Sequence, residues 1–515
     1  MSGVSTTSGK AVLIGTQRVS QQALSDQGRR AATALDQIGV REGDAIALLI
    51  RNDPCYFEVI QAAAHLGAYV VPLNWHSTAD EIGYILGDCA PRALIGHADL
   101  IDRVADAIPG ELLTFAIPGI LADAAAKSVS GLVRPDDWAT FRDQAARWDA
   151  PARAPRGTMI YTSGTTGHPK GVRRAPMKPE QVRKNAALLR DIYGIEEGMR
   201  AFVCGPLYHA SPGAFARQAF QHADLTVLQH NFDPEDLLRT IAEHRITHLT
   251  MVPTMFVRLL RLGEDVRRRY DISSIRWATH TGAACPPEVK RQMIDWWGPV
   301  IHETYGATET GPAVGCDSIE WLAHPGTVGR PMAGTEIRIY DENENEVGAT
   351  GVGEIFLRTE AYSDFTYHGR PDQRQQVDRG GLVTCGDVGY LDPDGFLYIC
   401  DRKRDMVISG GVNIYPAEIE NVLVNCPGVR DCAVFGVPDE EFGEALIAAI
   451  ESEPGAEPAP NHIAAFLERH LARFKVPKRF VFEDALPREA SGKIFKRKLR
   501  DRYLQSVSQS IPVRA

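Results

Sequence analysis

The sequence predicts an α/β protein of at least two domains, and three observations lead there. The chain has 515 residues, 44% of them hydrophobic, well beyond the roughly 250–300 residues at which a single core stops growing. Its first half alternates short apolar runs with amphipathic segments, the pattern of βαβ units. After about Thr327 the pattern gives way to β-rich runs separated by polar turns.

The elements follow in order. The stretch "DAIALLIRNDPCYFEVIQAAAHLGAYVVPLN" predicts a strand from Ala45 to Ile50. A helix follows, with Asp53 as N-cap and Pro54 at its first position, then a second strand from Tyr69 to Leu73. "EDLLRTIAEHRITHLTMVP" predicts a helix running into a short strand, and "IRWATHTGAACPPEVKRQMIDWW" a strand, a Gly-rich turn and a helix beginning near Pro286. Beyond Thr327, "TEIRIYDENENEVGATGVGEIFLRT" predicts two strands joined by a turn-rich loop. In "GYLDPDGFLYICDR" a Pro-Asp-Gly turn predicts a hairpin. Together these make a small β-barrel or sheet attached to the α/β part. The charged run "DRKRD" at 401–405 marks a domain boundary near Arg402 to Arg404. After it come a helix from Pro416, a strand in "VRDCAVFGVP" and the basic run "SGKIFKRKLR". No internal repeat or low-complexity tract interrupts this order.

Composition narrows the partners. Lys and Arg number 56 against 66 Asp and Glu, a net charge of −10. That argues against nucleic acid as a general partner, because phosphate backbones require clustered positive charge. Any phosphate must be met locally. The polar start "MSGVSTTSGK" and the short apolar run after it do not make a signal segment, and no run approaches the roughly 18 apolar residues that span a bilayer. Nine cysteines without a CxxC pair fit free thiols in a reducing compartment and argue against zinc. The expectation is a soluble cytoplasmic protein, with a homodimer left open.

One loop indicates the chemistry. "YTSGTTGHPKGV" at 161–172 places glycines among Thr162, Ser163, Thr165 and Thr166. Gly164 and Gly167 let backbone N–H groups turn inward as a nest, the hydroxyls add donors and Lys170 adds a cation. A polyphosphate suits it. The loop is not a Walker A motif, because His168 follows Gly167 where that motif requires lysine. Distant strings suit other parts of one nucleotide reaction. "HETYGATET" offers an aromatic ring at Tyr305, close backbone approach at Gly306, a hydroxyl at Thr308 and a carboxylate at Glu309 that could hold magnesium through oxygen. Asp387 and Arg402 could meet sugar hydroxyls, and Lys493 follows Ser-Gly in "PREASGKI". Taken singly, each string also fits a turn, a cap or a solvated basic face.

In combination and in order, these strings, with "GTVGRP" and "GDVGYLDPDGFLYICDRKRDMVISGGVNIYPAEIE", resemble the adenylate-forming superfamily, most closely its acyl-CoA ligase branch. The resemblance runs from about Val19 to about Arg500. It implies a large N-terminal domain of layered α/β subdomains plus the small β-barrel, residues 1–401, carrying the ATP and acyl sites. A small mobile α+β domain, residues 402–515, would swing between two poses. It also implies a two-step reaction: a carboxylate attacks the α-phosphate of ATP to give acyl-adenylate and pyrophosphate, then the thiol of CoA takes the acyl group and AMP leaves. A stand-alone adenylating enzyme that loads a carrier protein is the alternative.

The residue roles follow from the resemblance. Lys493 would bridge carboxylate and α-phosphate in adenylation, and Glu309 would hold Mg²⁺. Thr165, Thr166 and Lys170 would grip the β- and γ-phosphates. Tyr305 would stack on adenine near Gly282, Ala283 and Ala284, while Asp387 and Arg402 would bind ribose. Ser409, Gly410 and Gly411 would line the CoA tunnel, and Arg404 matches the hinge. Arg473, Lys475 and Lys478 could meet CoA phosphates or be ordinary surface charge. "PLYHASPGAF" resembles the start of the acyl-pocket helix and carries His209 where amino-acid-activating domains commonly have aspartate. Ala210, Gly213, Ala214, Phe215, Thr281, Gly282 and Ala307 complete the pocket reading. These side chains are mostly small, which leaves room for a fatty acid or a bulky aryl or alicyclic acid, although small residues also occur where helices pack closely.

Overall fold

A computed structural model describes residues 9–118, 136–162, 169–409, 412–439, 442–488 and 494–509. The first unit is a parallel sheet in the order Tyr69–Pro72, Ala45–Leu49, Ala93–His97, Leu113–Ile117, Asp136–Asp137. Ala45–Leu49 is buried along its whole length, as a central strand covered on both faces must be. The helix after it spans Cys55–Leu66, with Pro54 preceding it at φ −56°. Asp53 caps it, its Oδ1 accepting from the Cys55 N–H at 2.8 Å. The βαβ unit read from the sequence is therefore present, each strand ending one residue sooner than expected.

A nine-stranded sheet forms the second layer. Its parallel middle runs Ile301–Ala307, Trp277–His280, His248–Met251, Arg200–Val203, Leu225–Leu228 and Ala11–Ile14. The helices Pro234–His244 and Pro287–Trp297 bury Leu237, Leu238, Ile241, Met293 and Ile294 in one apolar cluster with the strand residues Leu249 and Ala278. Parallel order brings the carboxyl ends of Trp277–His280 and Ile301–Ala307 side by side, the edge at which open α/β sheets bind ligands. Gly311–Cys316 then returns antiparallel beside Ile301–Ala307, with a register shift between Tyr305 and Gly306.

The β-rich part differs in detail from a closed barrel. Its strands Thr335–Tyr340, Gly353–Thr359 and Leu382–Leu391 lie antiparallel in that order. The ten-residue strand Leu382–Leu391 is long enough to pair with both Asp378–Arg379 and Leu397–Arg402. Two strands thus share its second edge, and among the described residues no ladder joins them back to Thr335–Tyr340. A separate three-stranded sheet, Phe365–Tyr367, Lys170–Arg174, Ile160–Thr162, connects this region to the large sheets. After Arg402 comes a second α+β unit. Its sheet runs Val412–Ile414, Val407–Ser409, Gly443–Ser452, Val429–Asp439, with Arg479–Phe482 beside Gly443–Ser452. It has its own core around Val407, Ile419, Leu423, Val434 and Ile450. All nine cysteines are free. No helix of the described residues is long and apolar enough to cross a membrane.

A buried histidine gives the fold a pH signature. His248 is 2% exposed, and burial lowers its imidazole from 6.5 to about 4, against the opposing charge of Glu196. Between those values the unfolded chain binds more protons, so the group's contribution is complete above about pH 6.5 and is lost as the pH falls through about 4. Going from pH 7 to pH 5 should remove about 2 kcal/mol through this residue. His248→Gln should flatten the pH dependence of thermal unfolding over that range; an unchanged slope contradicts the assignment.

Candidate active site

The site is built where the three-stranded sheet meets the end of Ile301–Ala307. Residues 163–168, which include Ser163, Gly164, Thr165, Thr166 and Gly167, lie outside the described residues, but both strands that hold this loop are described. Thr162 ends one strand and donates its hydroxyl to Glu309 Oε1 at 3.2 Å. Tyr367, from the third strand, donates to the same oxygen at 3.2 Å. Lys170 begins the return strand, 9% exposed, with its ammonium 5.1 Å from the centre of the Tyr367 ring. Burial lowers the Lys170 pKa, and the charge of Glu309 opposes that. The sheet thus joins Thr162, Lys170 and Glu309, which the sequence separates by as much as 147 positions.

Arg174 fixes the loop that carries the carboxylate. Its guanidinium donates to the carbonyl oxygens of Ser363 at 2.6 Å, Thr308 at 3.0 Å and Glu309 at 2.6 Å, and stacks 5.1 Å from the Tyr362 ring. Neither Arg174 nor Tyr367 was anticipated from the sequence. Arg174 carried a signal: in a strand, residues two apart share a face, so Lys170, Val172 and Arg174 of "KGVRR" point the same way. Nothing in "DFTYHG" marks Tyr367. Glu309 Oε1 is occupied by two hydroxyl donors, and Oε2 has no hydrogen bond among the described residues. A carboxylate oxygen beside a threonine hydroxyl is a donor set that suits a hard cation such as magnesium.

The second half of the site lies on the other side of Tyr305. Its hydroxyl donates to Asp387 Oδ2 at 2.7 Å, and Arg402 Nε lies 3.3 Å from Asp387 Oδ1. Register places Asp387 directly opposite Arg402. The structure therefore brings together the three residues read as adenine and ribose contacts, and its hydrogen bonds set the Tyr305 ring in place. Burial raises the Tyr305 phenol and the neighbouring Asp387 charge adds to that, so the hydroxyl remains a donor. Gly306 is needed for space: a Cβ there would lie 2.1 Å from the Gly311 carbonyl oxygen. Gly282, Ala283 and Ala284 form the turn directly after Trp277–His280, with Gly282 at φ +87°. Beneath that turn Lys290, fully buried, pairs with Glu303 at 2.5 Å, and His280 lies 3.5 Å from the same carboxylate. This buried pair was missed, since one charge in a helical stretch and one in a strand give no local signal.

The acyl-pocket reading divides. His209 precedes the helix Ala210–His222 as its N-cap residue, and Gly213 follows it one turn later on the same face. Phe215 is fully buried in the core, its ring 5.4 Å from that of Tyr193. Two residues from Gly213 is about 200° around a helix, so Phe215 packs on the side of the helix away from Gly213. Thr281 and Ala307 are half-buried at the ends of their strands.

In the C-terminal unit, Gly410, Gly411 and Lys493 lie outside the described residues. Ser409 ends its strand opposite Gly443. Lys475 pairs with both oxygens of Glu418 at 2.6 Å and Lys478 with Asp439 at 3.1 Å, so each would have to give up an ion pair to meet a phosphate. Arg473 lies exposed in the short 3₁₀ turn Arg473–Lys475. Arg404 is exposed in the turn after Leu397–Arg402. Just before that turn, Asp401 Oδ2 accepts from the Ala417 N–H at 2.8 Å, joining the boundary to the first helix of the C-terminal unit. Lys496, three positions after Lys493 in sequence, pairs with Glu420 at 2.8 Å.

The Thr162–Glu309–Tyr367 contacts predict a measurable effect. Tyr367→Phe keeps the ring under Lys170 but removes one hydrogen bond to Glu309, a change worth about 0.5–1.5 kcal/mol. Titration calorimetry with ATP and magnesium should show roughly 3- to 10-fold weaker binding, with the ranking of acids in turnover unaltered. Unchanged nucleotide binding contradicts this geometry.

Comparison with known proteins places the geometry. The family described as AMP-binding enzyme matches residues 3–363, and the AMP-binding enzyme C-terminal domain matches residues 418–493. The chain is 33% identical over 482 residues to a feruloyl-CoA synthase of Amycolatopsis sp, covering 93% of each chain. It is 31% identical over 503 residues to the fatty acid–[acyl-carrier-protein] ligase ScoC of Streptomyces coeruleorubidus, covering 96% of this chain and 93% of that one. Among solved structures it superposes on the o-succinylbenzoate CoA synthetase of Bacillus subtilis, in complex with its acyl-adenylate intermediate, with a TM-score of 0.80 at 27% identity over 96% of each chain. With the family match covering more than half its length, the chain belongs to the AMP-binding enzyme family of adenylate-forming enzymes.

Proposed function

We propose that this protein is an ATP-dependent carboxylic acid:CoA ligase that forms an acyl-adenylate and then transfers the acyl group to CoA. The observation that carries the reading is the convergence of Thr162, Lys170 and Tyr367 on Glu309, beside the Tyr305–Asp387–Arg402 cluster. One group has the chemistry to bind a polyphosphate, the other a nucleoside, and they lie on adjacent strand ends. Arginine and aspartate together suit ribose hydroxyls, and the half-buried Tyr305 ring suits a base face.

The first step sets a carboxylate against a triphosphate, and two like charges about 4 Å apart repel by roughly 4 kcal/mol at an effective dielectric near 20. Magnesium at Glu309, with Thr162 beside it, would supply positive charge to the phosphate oxygens. Lys170 holds the departing phosphates from the end of the glycine-rich loop. Lys493 reaches over the carboxylate and the α-phosphate, and Lys496, fixed to Glu420, anchors the segment that bears it. For the second step the domain of residues 402–515 turns about Arg404 relative to residues 1–401, so that the segment at Ser409, Gly410 and Gly411 lines the path of the thiol. We place this chemistry in the cytoplasm, in keeping with nine free thiols.

The acid is a fatty or bulky aryl or alicyclic one. Small residues at Ala210, Gly213, Thr281 and Ala307 support this, and His209 in place of a carboxylate argues against an amino acid. A carrier-protein thiol is the alternative acceptor, as the name of the relative ScoC indicates for that enzyme. The deciding assay is a panel of acids with ATP and magnesium, with and without CoA, in which pyrophosphate and acyl-CoA are measured separately. Pyrophosphate without thioester on any acid would remove CoA from the reading.

Lys493 provides the sharpest variant. Lys493→Ala should slow adenylation by at least roughly 10²- to 10³-fold, the cost of losing one preorganised charge donor, while supplied acyl-adenylate is still converted to acyl-CoA. Equal loss in both half-reactions would remove Lys493 from the first step.

A further inference from the structure

One polar cluster in the N-terminal domain has no part in the nucleotide chemistry. Arg217 stands on the helix Ala210–His222, two turns beyond His209 and one beyond Gly213, and these three positions share a face. The guanidinium is half-buried. Its Nη1 donates to the Tyr56 hydroxyl at 2.9 Å, and that hydroxyl in turn donates to the Gly213 carbonyl at 3.4 Å. Gly213 allows this close approach. A Cβ there would lie 2.8 Å from the Tyr56 hydroxyl and 3.4 Å from Arg217 Nη1.

An arginine has five N–H donors, and among the described residues the phenol of Tyr56 takes one of them while no carboxylate pairs with the charge. The other groups around it are aromatic alcohols. Tyr193 and Tyr362 both have phenols raised by burial, and Arg217 is among the charges opposing that rise. Tyr362 also connects the cluster to the reaction centre: its ring lies against Gly311, where a Cβ would be 2.3 Å away, two residues after Glu309, and it stacks on Arg174. A half-buried cation lined by tyrosines, one ring away from the site, has donors free to meet an acceptor on a ligand. It matches the planar, bidentate geometry of an oxygen acceptor on a ligand.

We propose that Arg217 is a specificity-determining residue that receives a second oxygen acceptor of the acid, a carboxylate or a ketone, at the end away from the reacting carboxyl group. This rests on the ligase reading and narrows it: the preferred acid carries a polar group at its far end, in contrast to a plain hydrocarbon acid.

The test uses the full-length enzyme with ATP, magnesium and CoA and three matched 3-phenylpropanoic acids bearing a para methyl, acetyl or carboxylate group. Wild type should favour the acetyl or the carboxylate acid over the methyl acid by about 10- to 100-fold in kcat/KM, as expected for one charged hydrogen bond, with most of the difference in KM. Which of the two is preferred identifies the acceptor. Arg217→Met should abolish the preference and Arg217→Lys should keep part of it. Should Arg217→Met not fold, Arg217→Gln carries the same comparison. Equal use of the three acids by wild type, or an intact preference in the Met or Gln variant, overturns the assignment and leaves the ligase reading standing. No pyrophosphate from any acid on a wider panel overturns both.

Discussion

The active site depends on one half-buried cation that touches no phosphate. Arg174 binds the backbone carbonyls of Thr308 and Glu309 on one side and Ser363 on the other. Burial lowers its pKa, and the charges of Tyr362, Glu309 and Asp364 favour the protonated form. A guanidinium in such a place needs its N–H groups satisfied, and carbonyl oxygens satisfy them without neutralising its charge. The loop after Ile301–Ala307 is thereby fixed to the three-stranded sheet, and the Glu309 carboxylate is presented to Thr162 and Tyr367. Without that anchor the two halves of the nucleotide site would be parts of separate sheets.

The same logic separates charges by their use. Other charges are already closed in ion pairs: Lys290 with Glu303, Lys496 with Glu420, Lys475 with Glu418. The charges we propose as functional are held by neutral groups. Lys170 rests on an aromatic face, Glu309 accepts from two hydroxyls and Arg217 donates to a phenol. A charge held by dipoles and rings retains its attraction for a ligand, whereas one already paired must first break a contact.

Much of this was legible in the sequence because the chemistry lies in contiguous strings. The loop at 161–172, the stretch at 302–310 and the Asp387 and Arg402 pair point to a nucleotide in combination, through the family resemblance they carry together, and none of them does so alone. The βαβ order was legible too, from Asp53 and Pro54 at a helix start and from apolar runs bounded by turns. What could not be read is whatever depends on strands meeting across hundreds of positions. Tyr367 and Arg174 matter through a three-stranded ladder of strands distant in sequence, and Arg217 through a helix face packed on Tyr56. Phe215 stands next to the other pocket candidates in sequence, and helical rotation turns it into the core. Turn signals left open whether the β-rich part is a small barrel or a sheet, because they do not fix strand length, and Leu382–Leu391 is long enough to hold two short neighbours on one edge.

The central claim is that a carboxylate oxygen attacks the α-phosphorus of ATP between Lys493 and the Glu309 loop. Isotope transfer tests it most directly. With an acid labelled in both carboxyl oxygens with ¹⁸O, a single turnover with ATP and CoA should yield AMP carrying one labelled oxygen, because attack joins that oxygen to phosphorus and the thiol later cleaves the carbon–oxygen bond. Unlabelled AMP, or label in inorganic phosphate with release of ADP, would contradict the account.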